Sequence, residues 1–263
     1  MGKIIGVCNQ KGGTGKTTTA INLSAYLGLA GHKTLLVDMD PQGNATSGVG
    51  VDSQDKNSTY NIIMGEADPR ESVYPTQWPN LSVIPSDISL TGGEVELVGV
   101  FQRESRLKEE LAKIKENFSY IIIDAPPSLG LLTVNVLAAS DSLIIPIQCE
   151  YYALEGVSKL VNTIELIQSR LNPSLEIEGI LLTMADFRTR LTLQVIDEVR
   201  KFFQKRTCEV IVPRNVKLAE APSFGKPIHA YDPACVGARA YLKLTESLLK
   251  ENLEAGQLAK ERS

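Results

Sequence analysis

The sequence predicts an α/β fold, a doubly wound and mostly parallel sheet flanked by helices, and three observations lead there. Seven β-branched runs of strand length recur along the 263 residues. Longer stretches of helical period separate them. The runs are apolar throughout instead of alternating, as expected of strands buried on both faces. Strand alternating with helix then gives a parallel sheet, because each crossover helix returns the chain to the same end of the sheet.

Taken in order, the first run spans 3–8 and leads through a glycine-rich stretch into a helix over about 16–30. The second run, 34–38, closes on Asp38. Residues 52–79 are polar and mixed, an excursion over the surface with a short helix near 59–64. A strand at 81–85 precedes a helix over 105–116, and the Tyr-Ile-Ile-Ile-Asp run at 120–124 precedes a helix over 129–139. Strand 142–146 is followed by helix 153–171, strand 180–184 by helix 191–204, and strand 209–212 by a last helix over 236–253. With no repeat, low-complexity tract or linker to divide it, the chain reads as a single domain over 1–263.

Composition supports a soluble globular protein: 43% hydrophobic and 22% charged residues exclude disorder, collagen and coiled coil. The opening apolar run is too short for a signal peptide and no stretch approaches the ~18 apolar residues of a membrane span, so the expected location is the cytoplasm. Cys8, Cys149, Cys208 and Cys235 form no CxxC pair, and with His32 and His229 they give no zinc-ligand spacing. They read as reduced and structural. Charge is divided unevenly: residues 1–179 hold 13 Lys and Arg against 21 Asp and Glu, whereas 180–263 hold 14 against 10.

Residues 11–17 read Lys-Gly-Gly-Thr-Gly-Lys-Thr between the first strand and its helix, the setting of a P-loop. Gly12, Gly13 and Gly15 let the backbone turn tightly and aim successive N–H groups, including those of Thr14 and Thr18, at a phosphate. The helix N-terminus adds its positive dipole end. Lys16 supplies an ammonium for the β- and γ-phosphates, and Thr17 is placed to hold Mg²⁺. Lys11 is a second ammonium, excess charge for one triphosphate, which points to the nucleotide of a facing protomer and thus to a dimer. Ligands of open α/β sheets bind at the C-terminal strand ends, where Asp38, Asp40 and Asp124 fall. Asp124 suits contact with Mg²⁺ through its water, and Asp38 or Asp40 the orientation of an attacking water. The alternative for each aspartate is a helix cap or turn former before Pro or Gly.

Five blocks carry a resemblance over nearly the whole chain: NQKGGTGKTTTAINL (9–23), LLVDMDPQGNATSG (35–48), YIIIDAPPSLGLLT (120–133), PIQCEYYALEG (146–156) and VPRNVKLAEAPSFGKPI (212–228). The sequence resembles the ParA/MinD deviant Walker A ATPases, and among them the chromosomal ParA (Soj-type) partition ATPases. The resemblance implies a P-loop NTPase fold, with ATP and Mg²⁺ as ligands. It implies that Lys11 acts across a dimer, Lys16 and Thr17 hold phosphate and Mg²⁺, Asp40 orients water, Asp124 is the Walker B carboxylate, and Pro213 and Asn215 line the adenine pocket. Thr14 stands where the family usually has Val; the position supplies mainly a backbone N–H, so little change is expected. The resemblance further implies an ATP-bound homodimer that binds double-stranded DNA nonspecifically, a ParB-type partner that stimulates hydrolysis, and association with the nucleoid.

Residues 186–243 hold 11 Lys and Arg against 6 Asp and Glu, which argues separately for phosphate contact by counterion release. By the same resemblance Arg188 and Lys217 match backbone-contacting positions, and Arg190, Lys201, Lys205 and Arg206 join them on charge alone. The alternative reading is a MinD-like or scaffold ATPase positioning another cargo. A MinD-type membrane helix would be amphipathic and basic, whereas the tail from residue 251 has only Leu253 and Leu258 as large apolar residues and mixes both charges. A guanine-specific Asn-Lys-x-Asp element, the cysteines of an iron-sulfur relative and the terminal tyrosine cluster of a related kinase are all missing from the sequence.

Overall fold

Buried β-branched runs pair into one sheet whose strand order runs β3-β4-β2-β5-β1-β6-β7-β8. The structure is a computed structural model that describes residues 2–150 and 153–261, without the side chains of 153–158 and 255–261. Tyr151 and Tyr152 of the fourth motif block, and the side chain of Leu258, lie outside the described residues. The strands are β1 (Lys3–Val7), β2 (Thr34–Asp38), β3 (Tyr74–Pro75), β4 (Leu81–Ile84), β5 (Tyr120–Asp124), β6 (Ser142–Gln148), β7 (Glu176–Ala185) and β8 (Thr207–Pro213). All neighbouring pairs are parallel except β3–β4. The expected fold class therefore stands. The antiparallel edge strand β3, paired with the expected β4, comes from the segment read as a surface excursion, whose Ile62 and Ile63 are also buried.

The helices are α1 (Lys16–Leu29), α2 (Asn44–Gly48), α3 (Thr59–Met64), α4 (Ser89–Glu96), α5 (Arg106–Ala112), α6 (Leu131–Ala139), α7 (Ala153–Arg170), α8 (Arg190–Phe203), α9 (Val216–Glu220), α10 (Ile228–Tyr231) and α11 (Val236–Glu261). Successive strand residues serve opposite faces, as the two-residue period requires. Ile121 and Ile123 of β5 join a core with α3 to α8, while Ile122 joins one with α1, α10 and α11. Both faces of the sheet are thereby covered, and the strand ends are left as the place where loops converge. Among the described residues no helix is long and apolar enough to cross a membrane.

Candidate nucleotide site

Register brings the site together. Asp38 of β2 lies beside Asp124 of β5, and Val7 of β1 lies on the other side of Asp124. The loop following β1 thus opens directly over both carboxylates. It turns through left-handed glycines, Gly13 at φ +73° and Gly15 at φ +90°, a region that L side chains rarely enter. Gly15 caps α1 without any side-chain hydrogen bond, and no acidic residue occupies the first turn. The free N–H groups and the dipole end of this 14-residue helix therefore face the loop, the arrangement that receives a phosphate. Asn9 holds the loop's base: its Nδ2 donates to the Pro146 carbonyl at 2.7 Å, and its Oδ1 accepts from the Lys11 N–H at 3.0 Å.

Lys16 is 6% exposed and donates to the Lys11 carbonyl at 3.2 Å. Burial lowers the pKa of its ammonium, and the nearby Asp124 and Asp40 charges act in the opposite direction. Asp124 is fully buried, and neither of its oxygens has a hydrogen-bond partner of ordinary geometry. Burial, reinforced by Asp38, raises its pKa well above the usual carboxylate range; the Thr17 hydroxyl and the Lys16 charge oppose the rise. An orphaned buried carboxylate beside a hydroxyl fits a divalent cation, which would return the lost interactions to it. Thr17 and Asp124 are the residues that would hold Mg²⁺.

The structure separates the two aspartates between which spacing could not choose. Asp38 is wholly buried: Oδ1 accepts the Asp40 N–H at 3.1 Å, and Oδ2 accepts both the N–H and the hydroxyl of Thr46, at 2.8 and 2.7 Å. Desolvation still pushes its pKa up to about 6. It is a turn former whose oxygens are engaged. Asp40, 7% exposed, accepts the Gln42 N–H on Oδ1 alone and lies close enough to Lys16 to influence its charge.

Beside Gly15 lies an apolar cavity of about 270 Å³ lined by Thr18, Thr183, Met184, Pro213, Asn215 and Tyr241 among others. Pro213 and Asn215, both anticipated, are there. Asn215 also caps α9, its Oδ1 accepting the Lys217 N–H at 2.8 Å. Thr183 went unnoticed in the sequence, yet its hydroxyl donates to the Thr14 carbonyl at 2.8 Å and ties β7 to the loop. Glu150 was missed too. Lys11, expected to reach outward, forms an ion pair with it at 2.8 Å. The strand-end rule that singled out Asp124 also covers Glu150, just past β6.

Arg188 and Lys217 follow the C-terminal ends of adjacent strands β7 and β8, but each is already paired. Arg188 donates to both oxygens of Asp186 at 2.8 and 2.6 Å, and Lys217 to Glu220 at 2.9 Å. Of the four residues added on charge alone, only Arg190 lies near them, and Lys201 is in the last turn of α8. Arg190 opens α8 near Arg188, whereas Lys205 and Arg206 lie beyond its far end, where 14 residues of helix at ~1.5 Å each separate them by roughly 20 Å.

Comparison with known proteins agrees with this geometry. The family described as an AAA domain matches residues 2–177. Sporulation initiation inhibitor protein Soj of Bacillus subtilis (strain 168) is 55% identical over 94% of this chain and 98% of its own. Chromosome partitioning protein ParA of Myxococcus xanthus (strain DK1622) is 54% identical over 96% and 89%. Among solved structures, cobyrinic acid a,c-diamide synthase from Mycobacterium smegmatis with bound ADP and magnesium superposes with a TM-score of 0.83 at 34% identity, covering 95% of each chain. A MinD septum site-determining protein from Pyrococcus horikoshii, complexed with Mg-ADP, gives 0.79 at 26% identity over 94% and 96%. With more than half of its residues shared with Soj, the chain belongs to the ParA/Soj family of chromosome-partitioning ATPases.

Proposed function

We propose that residues 1–263 act as one domain, a partition ATPase for chromosome or plasmid DNA whose ATP-bound dimer binds duplex DNA nonspecifically on the nucleoid and hydrolyses ATP when a ParB-type partner stimulates it. The observation that carries this reading is the convergence of Lys16, Thr17, Asp40 and the orphaned Asp124 on the α1 N-terminus, beside an apolar cavity of base size. Lys16 is desolvated before any ligand arrives, so phosphate gives its charge the partner that burial removed. Mg²⁺, when bound, neutralises developing phosphate charge as a Lewis acid. Asp40, with Oδ2 free to accept, orients a water for in-line attack; that orientation counts in the transition state more than in ground-state binding. Lys11 exchanges Glu150 for the partner protomer's nucleotide when two sites face each other. Doubling the net positive 186–243 segment in a dimer then couples ATP to DNA binding.

Sedimentation with ADP and with a slowly hydrolysed ATP analogue, each with and without nonspecific duplex DNA, tests the reading. A dimer that forms with the analogue alone and then carries DNA is expected. DNA binding by the ADP state, or none in either state, would refute it, the latter in favour of a scaffold ATPase with another cargo.

A further inference from the structure

Five non-glycine residues among those described have positive φ. Asp55, Asn80, Gln102 and Gln204 are exposed in turns or at a helix end, where small or flexible polar residues accept a left-handed backbone. Met184, at φ +52°, is the one that stands in a strand. Its cause is a bulge: Leu182 pairs with Ile211 and Ala185 with Pro213, so three steps along β7 match two along β8. Pairing with β6 shifts register between Leu143 and Ile144 but is regular from Gly179 to Thr183, and the Arg214 N–H donates to the Ala185 carbonyl at 3.0 Å, so the ladder with β8 resumes at once.

The residues around the bulge are fixed by the nucleotide site. Thr183 donates to Thr14 in the phosphate loop while its carbonyl accepts from the Cys149 N–H at 3.1 Å, and its methyl carbon lies 3.7 Å from where a Cβ on Gly15 would stand. Met184 follows directly and lines the apolar cavity. A strained backbone persists where its surroundings over-determine it, which is typical of binding sites. An unbranched, polarizable thioether is also well suited to lie against an aromatic ring.

We infer that Met184 is a base-positioning residue: the bulge in β7 turns its side chain into a wall of the cavity beside Gly15, so that affinity for the purine, and not for the phosphates, depends on it. The inference rests on the nucleotide reading above and adds a determinant that the sequence did not reveal.

Binding of ATP and of inorganic tripolyphosphate, both with Mg²⁺, to the wild-type chain and to Met184→Ala, Met184→Gly and Met184→Leu tests it by titration calorimetry. The Ala and Gly variants should bind ATP roughly 5- to 10-fold more weakly, the scale of one lost apolar side-chain contact, with tripolyphosphate affinity unchanged within about twofold. Leu restores apolar bulk and should stay within about threefold of wild type for ATP. Melting without ligand adds a second readout: at a left-handed position the Gly variant should melt above the Ala variant, the reverse of the order at an ordinary strand position. ATP and tripolyphosphate affinities falling together, or neither falling, would overturn the inference alone, as would Gly melting below Ala. Failure of the wild-type chain to bind either compound would overturn the nucleotide reading and this inference with it.

Discussion

Replacing Glu150 by Gln should tighten the ATP-dependent dimer. In the single protomer the Lys11 ammonium and the Glu150 carboxylate are 2.8 Å apart, with side chains 40% and 44% exposed. A pair this open to water is worth about 0.2–1 kcal/mol. On the proposed reading Lys11 reaches the opposite triphosphate and cannot also keep that partner, so each protomer would forfeit the pair on dimerisation. Two pairs per dimer amount to about 0.4–2 kcal/mol, which corresponds to a roughly 2- to 30-fold lower dimer dissociation constant once the charge on residue 150 is removed. Screening should shrink the gain as salt rises toward ~1 M, where the Debye length is about 3 Å. Sedimentation velocity across a protein concentration series, with a slowly hydrolysed ATP analogue, measures the shift directly. Lys11→Ala alone should abolish the analogue-dependent dimer while sparing nucleotide binding by the monomer. An unchanged or weaker Glu150→Gln dimer would refute the argument, because Glu150 would then be neutral or favourable in the assembled state.

Lys16→Ala should abolish ATP binding, since the β- and γ-phosphates lose the one ammonium buried in the same loop; near-native affinity by calorimetry would overturn the site. Asp40→Ala should bind ATP and dimerise yet turn over slowly, giving a trapped dimer. Asp38→Ala should instead lower the unfolding free energy by about 1–3 kcal/mol, because three buried donors lose their acceptor. Normal turnover by the Asp40 variant would reverse their assignment. Asp124→Asn should raise the stability of the ligand-free chain at neutral pH. Burial lifts the folded-state pKa of Asp124 above its ordinary 3.8, so the stability this group allows is present below that value and is lost as pH rises through the folded-state pKa. Urea denaturation from pH 4 to 8 should therefore show the variant's advantage growing with pH, and a pH-independent difference would count against it. Arg188→Glu with Lys217→Glu should abolish DNA binding while preserving basal turnover. Each phosphate contact contributes roughly −0.9 to the slope of log K against log salt, so an unchanged slope in gel-shift titrations would clear that surface of any role.

What could be read from the sequence, and what could not, divides along a physical line. Strands buried on both faces declare themselves through composition, so β1, β2, β5 and β6 lie close to their expected places, and with them the carboxylate of Asp124 at a strand end. Helix α4 was hidden because two adjacent glycines in Ser-Leu-Thr-Gly-Gly-Glu-Val-Glu weaken its local propensity. It forms because Leu90 is buried, and Gly93 is required where a Cβ would stand 2.8 Å from the Tyr60 ring. Helices α2, α9 and α10 have only four or five residues, too few to stand alone, and owe their existence to tertiary partners such as the Asp38–Thr46 bonds.

Lys11 marks the same boundary within the site. Its excess charge beside a single triphosphate is visible in seven consecutive residues. The carboxylate that balances it is 139 positions away and becomes its neighbour only because β6 lies beside β1. Spacing in the chain therefore points to an ammonium in excess of one protomer's phosphates, while strand order supplies the carboxylate that pairs with it. The bulge at Met184 belongs with Glu150, since both depend on which residue faces which across the sheet, and no local pattern encodes that. A residue whose role is set by register escapes motif reading even when it touches the motif.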